Sequence, residues 1–210
     1  MYNKFIPESH NVSCGRALVG CGAVAMAQIM KHWQWPDYSF IKDTIIGGVC
    51  WGDDNQRFYD WENMPLELTA TSTDAQVAAV AQLMYHCGVS VEMDYGVAAT
   101  GGSGAFTISS KSNTTHCAEY ALREYWGYKP TLQGLQKAKY SDKDWKTMLK
   151  DDLKAGRPII YSGYGDGGHC FVCDGYNEDE YFHFNWGWGG MYDGYFRESL
   201  LGCRSRRPGP

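Results

Sequence analysis

Cys21 stands between two glycines at the head of the run Gly20-Cys21-Gly22-Ala23-Val24-Ala25-Met26-Ala27-Gln28-Ile29-Met30, and late in the chain Gly167-Gly168-His169 opens an apolar segment. A cysteine near the start and a histidine far downstream suit a thiol nucleophile and its imidazole base, which a fold can join although the sequence separates them. A thiol attacks poorly until it ionises, and a helix N-terminus and a nearby imidazolium both favour the thiolate. Cys21 occupies the place where a helix should begin. Its backbone N–H then lacks an intrahelical acceptor, as first-turn amides do, and is available as an oxyanion donor. The small neighbours would let a substrate carbonyl come close. Taken by itself, the segment equally fits a small buried cysteine at a helix start.

His169 leads into Phe171-Val172-Cys173-Asp174-Gly175, so it belongs at the mouth of a strand, with one ring nitrogen presented to a cleft. The other nitrogen needs a partner to fix the tautomer. Asn185 ends the next strand-like segment, where a hairpin would return it beside His169 with its amide oxygen accepting the imidazole N–H. Trp186 and Trp188 would shield that bond from water. A lone histidine of this kind is more often structural; its combination with Asn185-Trp186-Gly187-Trp188-Gly189-Gly190 is what argues for chemistry. Cys170-Phe171-Val172-Cys173 has CxxC spacing, but on a strand its thiols face opposite ways and no second ligand pair follows. No metal site and no cofactor is expected. His183 reads as a packed strand residue, His32 and His86 as structural helix residues. Phosphate loops, dinucleotide fingerprints and GxSxG elbows are not present in the sequence.

The elements that must position these residues change character along the chain. A helix is predicted from Cys21 to Trp33, with Met26, Met30 and Trp33 at i, i+4, i+7 and Pro36 beyond its end. A second runs from Asp74 to Cys87, with Val77, Val80, Ala81 and Met84 on one face and Gly88 as a left-handed stop. A third covers about Thr115 to Trp126. A fourth follows Ser141, with Trp145, Met148, Leu149 and Leu153 inward and Gly156 and Pro158 closing it. Residues 37–70 and 96–113 read as long surface loops, with Gly101-Gly102-Ser103-Gly104 the most mobile stretch. The segments 158–162, 169–175, 180–186 and 194–197 are short, aromatic and β-branched, separated by Gly, Asn and Asp turns, as in an antiparallel meander. Helices followed by strands imply an α+β protein.

Composition narrows the function classes. The 210 residues fit one domain, and 44% hydrophobic with 15% aromatic residues suffices for a full core. A net charge of −5, with basic residues clustered only at Arg204-Ser205-Arg206-Arg207, disfavours a nucleic-acid or anionic-membrane partner. No apolar stretch approaches the roughly 20 residues of a membrane span. The opening residues lack the apolar core of a signal peptide, which fits an intracellular chain or one separated from its leader. The eight cysteines are scattered and read as mostly buried thiols with one structural pair.

Several segments resemble the streptopain family of papain-like cysteine peptidases, and the resemblance covers nearly the whole chain. Gly20-Cys21 with Ala25-Met26-Ala27-Gln28-Ile29-Met30-Lys31 and Trp35-Pro36 resembles the nucleophile helix. Tyr59-Asp60-Trp61-Glu62-Asn63-Met64-Pro65 and Met93-Asp94-Tyr95-Gly96 are similar to intervening segments. The stretch from Gly168 to Gly175 resembles the histidine strand. The most specific match runs from Phe182 to Gly190 and on through Asp193-Gly194-Tyr195-Phe196-Arg197.

The resemblance implies a papain-like α+β fold: a helical lobe over about 1–157, a β lobe over about 158–200, an atypical tail over 201–210 and an active-site cleft between the lobes. It implies Cys21 as nucleophile, His169 as general base and acid, and Asn185 and Trp186 as supports of the imidazole. Ser103, Gly104 and Ala105 are implied, with Gly168, to bind substrate backbone. Members are secreted or surface-associated bacterial endopeptidases, monomeric, acting on proteins or peptides, and made as zymogens inhibited by their own propeptide. Cleavage prefers a hydrophobic side chain two residues before the scissile bond.

Two departures shape the expectations. The family's oxyanion glutamine precedes the segment matching Tyr2-Asn3, and the final residues Leu201 to Pro210 do not resemble the family's closing strand. The chain is therefore expected to be a truncated or altered form of weak activity. Two rival readings stay open: another Cys-His acyl transferase, such as a cell-wall amidase or transglutaminase-like enzyme, and a non-catalytic relative or aromatic-rich binding module.

Overall fold

The computed structural model describes residues 3–6, 16–38, 44–46, 49–51, 58–97, 101–109, 115–164 and 167–198. Two compact units divide at Leu135 and Gln136.

In the first unit, α1 spans Cys21–Trp33, α2 Asp74–Ser90 and α3 Ala118–Glu124, and a short antiparallel hairpin pairs β1 (Thr44–Ile46) with β2 (Val49–Trp51). α1 buries Ala23, Met26, Ala27 and Met30, and Gln34 ends it in the left-handed conformation. Trp33 does not follow the apolar stripe: it is exposed and meets His32 edge-on. α2 opens with a capping box in which Thr73 and Gln76 satisfy each other's backbone N–H groups.

Gly88 does not stop α2. The helix runs through it to Ser90, and a Cβ at Gly88 would stand 2.3 Å from the Tyr95 hydroxyl. Glycine here makes room for a neighbour rather than a turn. Of the expected face, Ala81 is buried and Val77, Val80 and Met84 are only half-buried. Leu83, His86, Cys87 and Val89 also lie inside, since the last two turns are enclosed nearly all round. Cys87 Sγ lies 3.5 Å from Met30 Sδ, joining α2 to α1. The predicted loop 37–70 also contributes to the core through Tyr59, Trp61 and Met64, with the Tyr59 hydroxyl 2.7 Å from His86 Nδ1.

In the second unit, a 3-10 turn over Lys137–Lys139 and α4 (Asp142–Lys154) precede a four-stranded antiparallel sheet of order β3-β4-β5-β6, formed by Ile159–Tyr164, Gly168–Tyr176, Phe182–Asn185 and Gly194–Phe196. Tyr161 pairs with Phe171, and Cys173 with Phe184, so large side chains share one face. α4 packs on that sheet: Trp145 is buried and its indole N–H donates to the Tyr161 hydroxyl at 3.0 Å. The helix thus belongs with the strands that follow it. The tail 201–210 lies outside the described residues.

Candidate active site

Cys21 is the first residue of α1 and is half-buried. Gly20 before it adopts φ 89°, ψ 138°, and its carbonyl accepts the Val24 N–H at 3.1 Å. No acidic residue stands in the first turn, so nothing there offsets the positive end of the helix beside the thiol.

Of the residues expected to bind substrate, Ser103 and Ala105 lie against this helix start. Ser103 Cβ is 3.2 Å from the position a Cβ would take at Gly20, and Ala105 Cβ is 3.7 Å from that of Gly22. Gly104 exchanges two backbone hydrogen bonds with Asp94, each 3.0 Å. The expected mobile loop is therefore tied down here, with Ser103 buried. Its far end is held by α3: Ala118 and Glu119 donate their N–H groups to the carbonyls of Phe106 and Thr107, and the Glu119 carboxylate accepts from the Ser109 N–H and hydroxyl at 2.9 and 3.0 Å.

Burial pushes the Glu119 carboxyl up, but the Ser109 and Gly134 N–H groups, the Ser109 hydroxyl and Arg123 outweigh it and hold the acid below its ordinary range. A depressed acid stabilises the fold fully above its unfolded value of about 4.3 and loses that contribution as pH falls through the folded value. Glu119→Gln is therefore expected to lower Tm at pH 6–7 and to flatten the fall of Tm below pH 5. Parallel Tm–pH curves for variant and wild type would remove Glu119 from this account.

His169 is the second residue of β4 and is half-buried. Its Nε2 lies 2.9 Å from the Trp186 carbonyl oxygen. Three aromatic rings frame the imidazole: Trp188 with centroids 4.8 Å apart, Phe171 at 5.7 Å and Trp186 at 6.1 Å, the last nearly parallel at 18°. Asn185 ends β5, and its Oδ1 accepts the Gly187 N–H at 2.9 Å. The turn beyond needs positive φ at Gly187, Gly189 and Gly190, which explains the glycines on either side of Trp188. Gly168, at the start of β4, is exposed and packs near the Tyr164 ring.

Sequence reasoning missed Asp193. Its Oδ1 accepts the Trp186 N–H at 2.8 Å and so fixes the residue whose carbonyl meets His169. The only sequence signal was Asp193-Gly194, an ordinary turn pair. His183, expected to be packed, is partly exposed and faces the Asp174 carboxylate through Nδ1. The described cysteines 21, 87, 117, 170 and 173 are thiols. Burial pushes Cys87 and Cys117 up and Cys173 up to about 12, which keeps these three protonated and unreactive near neutrality.

The model of the Peptidase C10 family matches residues 1–196. The chain belongs to this family. It is 37% identical over 192 residues to the thiol protease/hemagglutinin PrtT of Porphyromonas gingivalis, covering 89% of this chain and 21% of that protein. Streptopain of Streptococcus pyogenes is 30% identical over 223 residues, covering 95% of this chain and 52% of streptopain. The active wild-type interpain A cysteine protease of Prevotella intermedia matches with TM-score 0.80 and 34% identity over 95% of this chain and 81% of that one. A prointerpain A fragment gives 0.79 and 36%, covering 96% and 62%. The α+β, papain-like fold expected from sequence is thus shared with interpain A. This family member spans between a fifth and about half of the length of its curated relatives.

Proposed function

We propose that the chain is a cysteine endopeptidase domain in which Cys21 is the nucleophile and His169 the general base and acid. The observation carrying this reading is the hydrogen bond between His169 Nε2 and the Trp186 carbonyl. A carbonyl oxygen only accepts, so in the neutral ring Nε2 bears the proton and Nδ1 is the basic nitrogen. Nδ1 takes the Cys21 thiol proton, and the thiolate is favoured at the helix N-terminus. The sulfur adds to the peptide carbonyl, whose oxyanion is met by the Cys21 backbone N–H. The imidazolium then protonates the departing amine and leaves a thioester. Water, deprotonated by the imidazole, attacks that ester to release the acid and restore the thiol.

Asn185 and Trp186 support the imidazole, and the Ser103-Gly104-Ala105 segment with Gly168 binds substrate backbone. Protein or peptide substrates, synthesis as a zymogen held by its own propeptide, export to the cell surface or beyond, and action as a monomer complete the proposal. The matched prointerpain A fragment and active interpain A support the zymogen step, since that relative occurs in both forms.

Labelling with an epoxysuccinyl inhibitor tests the reading directly. One adduct by intact mass, formed quickly and mapped to Cys21, is expected, because Cys87, Cys117, Cys170 and Cys173 are buried and burial raises the thiol pKa of Cys87, Cys117 and Cys173. Slow labelling spread over several thiols would end the peptidase reading and favour a binding module built on the exposed Trp188, Tyr192 and Tyr195.

A further inference from the structure

We propose that Ser103 is a positioning residue for Cys21, its hydroxyl holding the segment that leads into the nucleophile rather than contacting substrate. The inference rests on the reading of Cys21 as nucleophile and adds a role for a side chain that faces away from solvent. Ser103 is 8% exposed. Its Oγ donates to the Leu18 carbonyl at 2.6 Å and accepts the Gly96 N–H at 3.0 Å, with the Gly96 carbonyl 3.2 Å away as a second acceptor. A hydroxyl has one proton, and here the shortest contact takes it.

Leu18 in turn donates its N–H to the Gly96 carbonyl at 2.9 Å, so both backbone groups of Leu18 are fixed by the Gly96–Ser103 pair. Only Val19, buried, and Gly20 separate Leu18 from Cys21. Gly20 sits in a conformation that few residues adopt, with the Ser103 and Met93 side chains closing the space a Cβ would fill. One hydroxyl thus joins the approach to the nucleophile, the backbone at Gly96 and the start of the Ser103-Gly104-Ala105 segment. Its removal frees the Leu18 carbonyl to move and lets the head of α1 drift. Displacements near 1 Å in a catalytic group can lower turnover by about 100-fold.

The test compares wild type with Ser103→Ala in peptide hydrolysis and in alkylation of Cys21 by iodoacetamide, a reagent too small to use the substrate-binding segment. A fall of roughly 10- to 100-fold in kcat is expected, with KM within about twofold and the alkylation rate at Cys21 falling in parallel. A rise in KM with alkylation unchanged would make Ser103 a substrate ligand and overturn the proposal, as would unchanged kinetics throughout. If Ser103→Ala does not fold by circular dichroism, Ser103→Cys, similar in shape but a weak donor, takes its place. The same direction of change is expected there, read at Cys21 by peptide mapping, and unchanged alkylation overturns the proposal. Failure of the peptidase reading looks different: wild type itself would show no hydrolysis, while the alkylation comparison would still decide whether Ser103 positions Cys21.

Discussion

Replacing Cys21 by alanine is expected to abolish casein hydrolysis and leave the circular dichroism spectrum unchanged. The thiol is only half-buried and heads α1, where alanine is a good helix former, so the exchange removes little packing and no cap. Among the other thiols the structure describes, none is a ready substitute nucleophile: Cys87, Cys117, Cys170 and Cys173 are buried, and burial holds Cys87, Cys117 and Cys173 in their protonated form. Loss of a nucleophile in an enzyme of this type lowers turnover on the order of 10⁴–10⁶. Binding of an unreactive peptide should persist, because the groups proposed to hold substrate backbone are untouched. Full turnover by the variant, with its fold intact, would remove Cys21 from the mechanism. Loss of activity together with a collapsed spectrum would instead assign Cys21 a structural role at the helix start.

Local signals explain where sequence reasoning worked. α1 was legible at both ends because Gly20 precedes a strongly patterned run and Pro36 bars its continuation. The meander was legible because Phe171, Phe182 and Phe184 alternate with smaller or polar neighbours between glycine-rich turns. What failed depended on partners distant in sequence. Gly88 looked like a helix stop until Tyr95 supplied another reason for its missing side chain. The stretch around Ser103 looked mobile by composition, yet its hydroxyl finds acceptors on Leu18 and Gly96. α4 seemed to close the helical half, while Trp145 commits it to Tyr161 on β3. Tyr59, Trp61 and Met64 sat in a segment rich in polar residues, and their burial depends on α2 and on rings such as His86. The residues proposed for the chemistry, Cys21, His169 and Asn185, were visible as types in an order. The Trp186 carbonyl as acceptor, and Asp193 behind it, were not, because backbone carbonyls carry no sequence signature.

Gly20→Ala should destabilise the fold and slow the thiol while leaving every proposed catalytic side chain in place. At φ 89° and ψ 138° the residue is outside the left-handed helical well near ψ 47°, so asparagine, which tolerates that well, is no substitute. An L-residue held there costs about 1–3 kcal/mol. The added methyl would also stand 2.7 Å from Met93 Sδ and 3.2 Å from Ser103 Cβ. Met93 is buried but flexible at its tip, so its share is the lower part of the usual 1–3 kcal/mol for overpacking. Together these amount to about 3 kcal/mol, or roughly 6–12 °C in Tm for a chain of this size. Iodoacetamide labelling of Cys21 should slow as well, because Gly20 supplies the carbonyl that starts α1. Adding Met93→Ala separates the two causes. It removes the tightest contacts, those with the Met93 tip, and leaves the backbone angle unchanged, so the double variant should recover less than half of the lost Tm after correction for Met93→Ala alone. Full recovery would show that crowding rather than backbone conformation demands glycine, and a Gly20→Ala protein melting with the wild type would show that the turn into the nucleophile carries no strain at all.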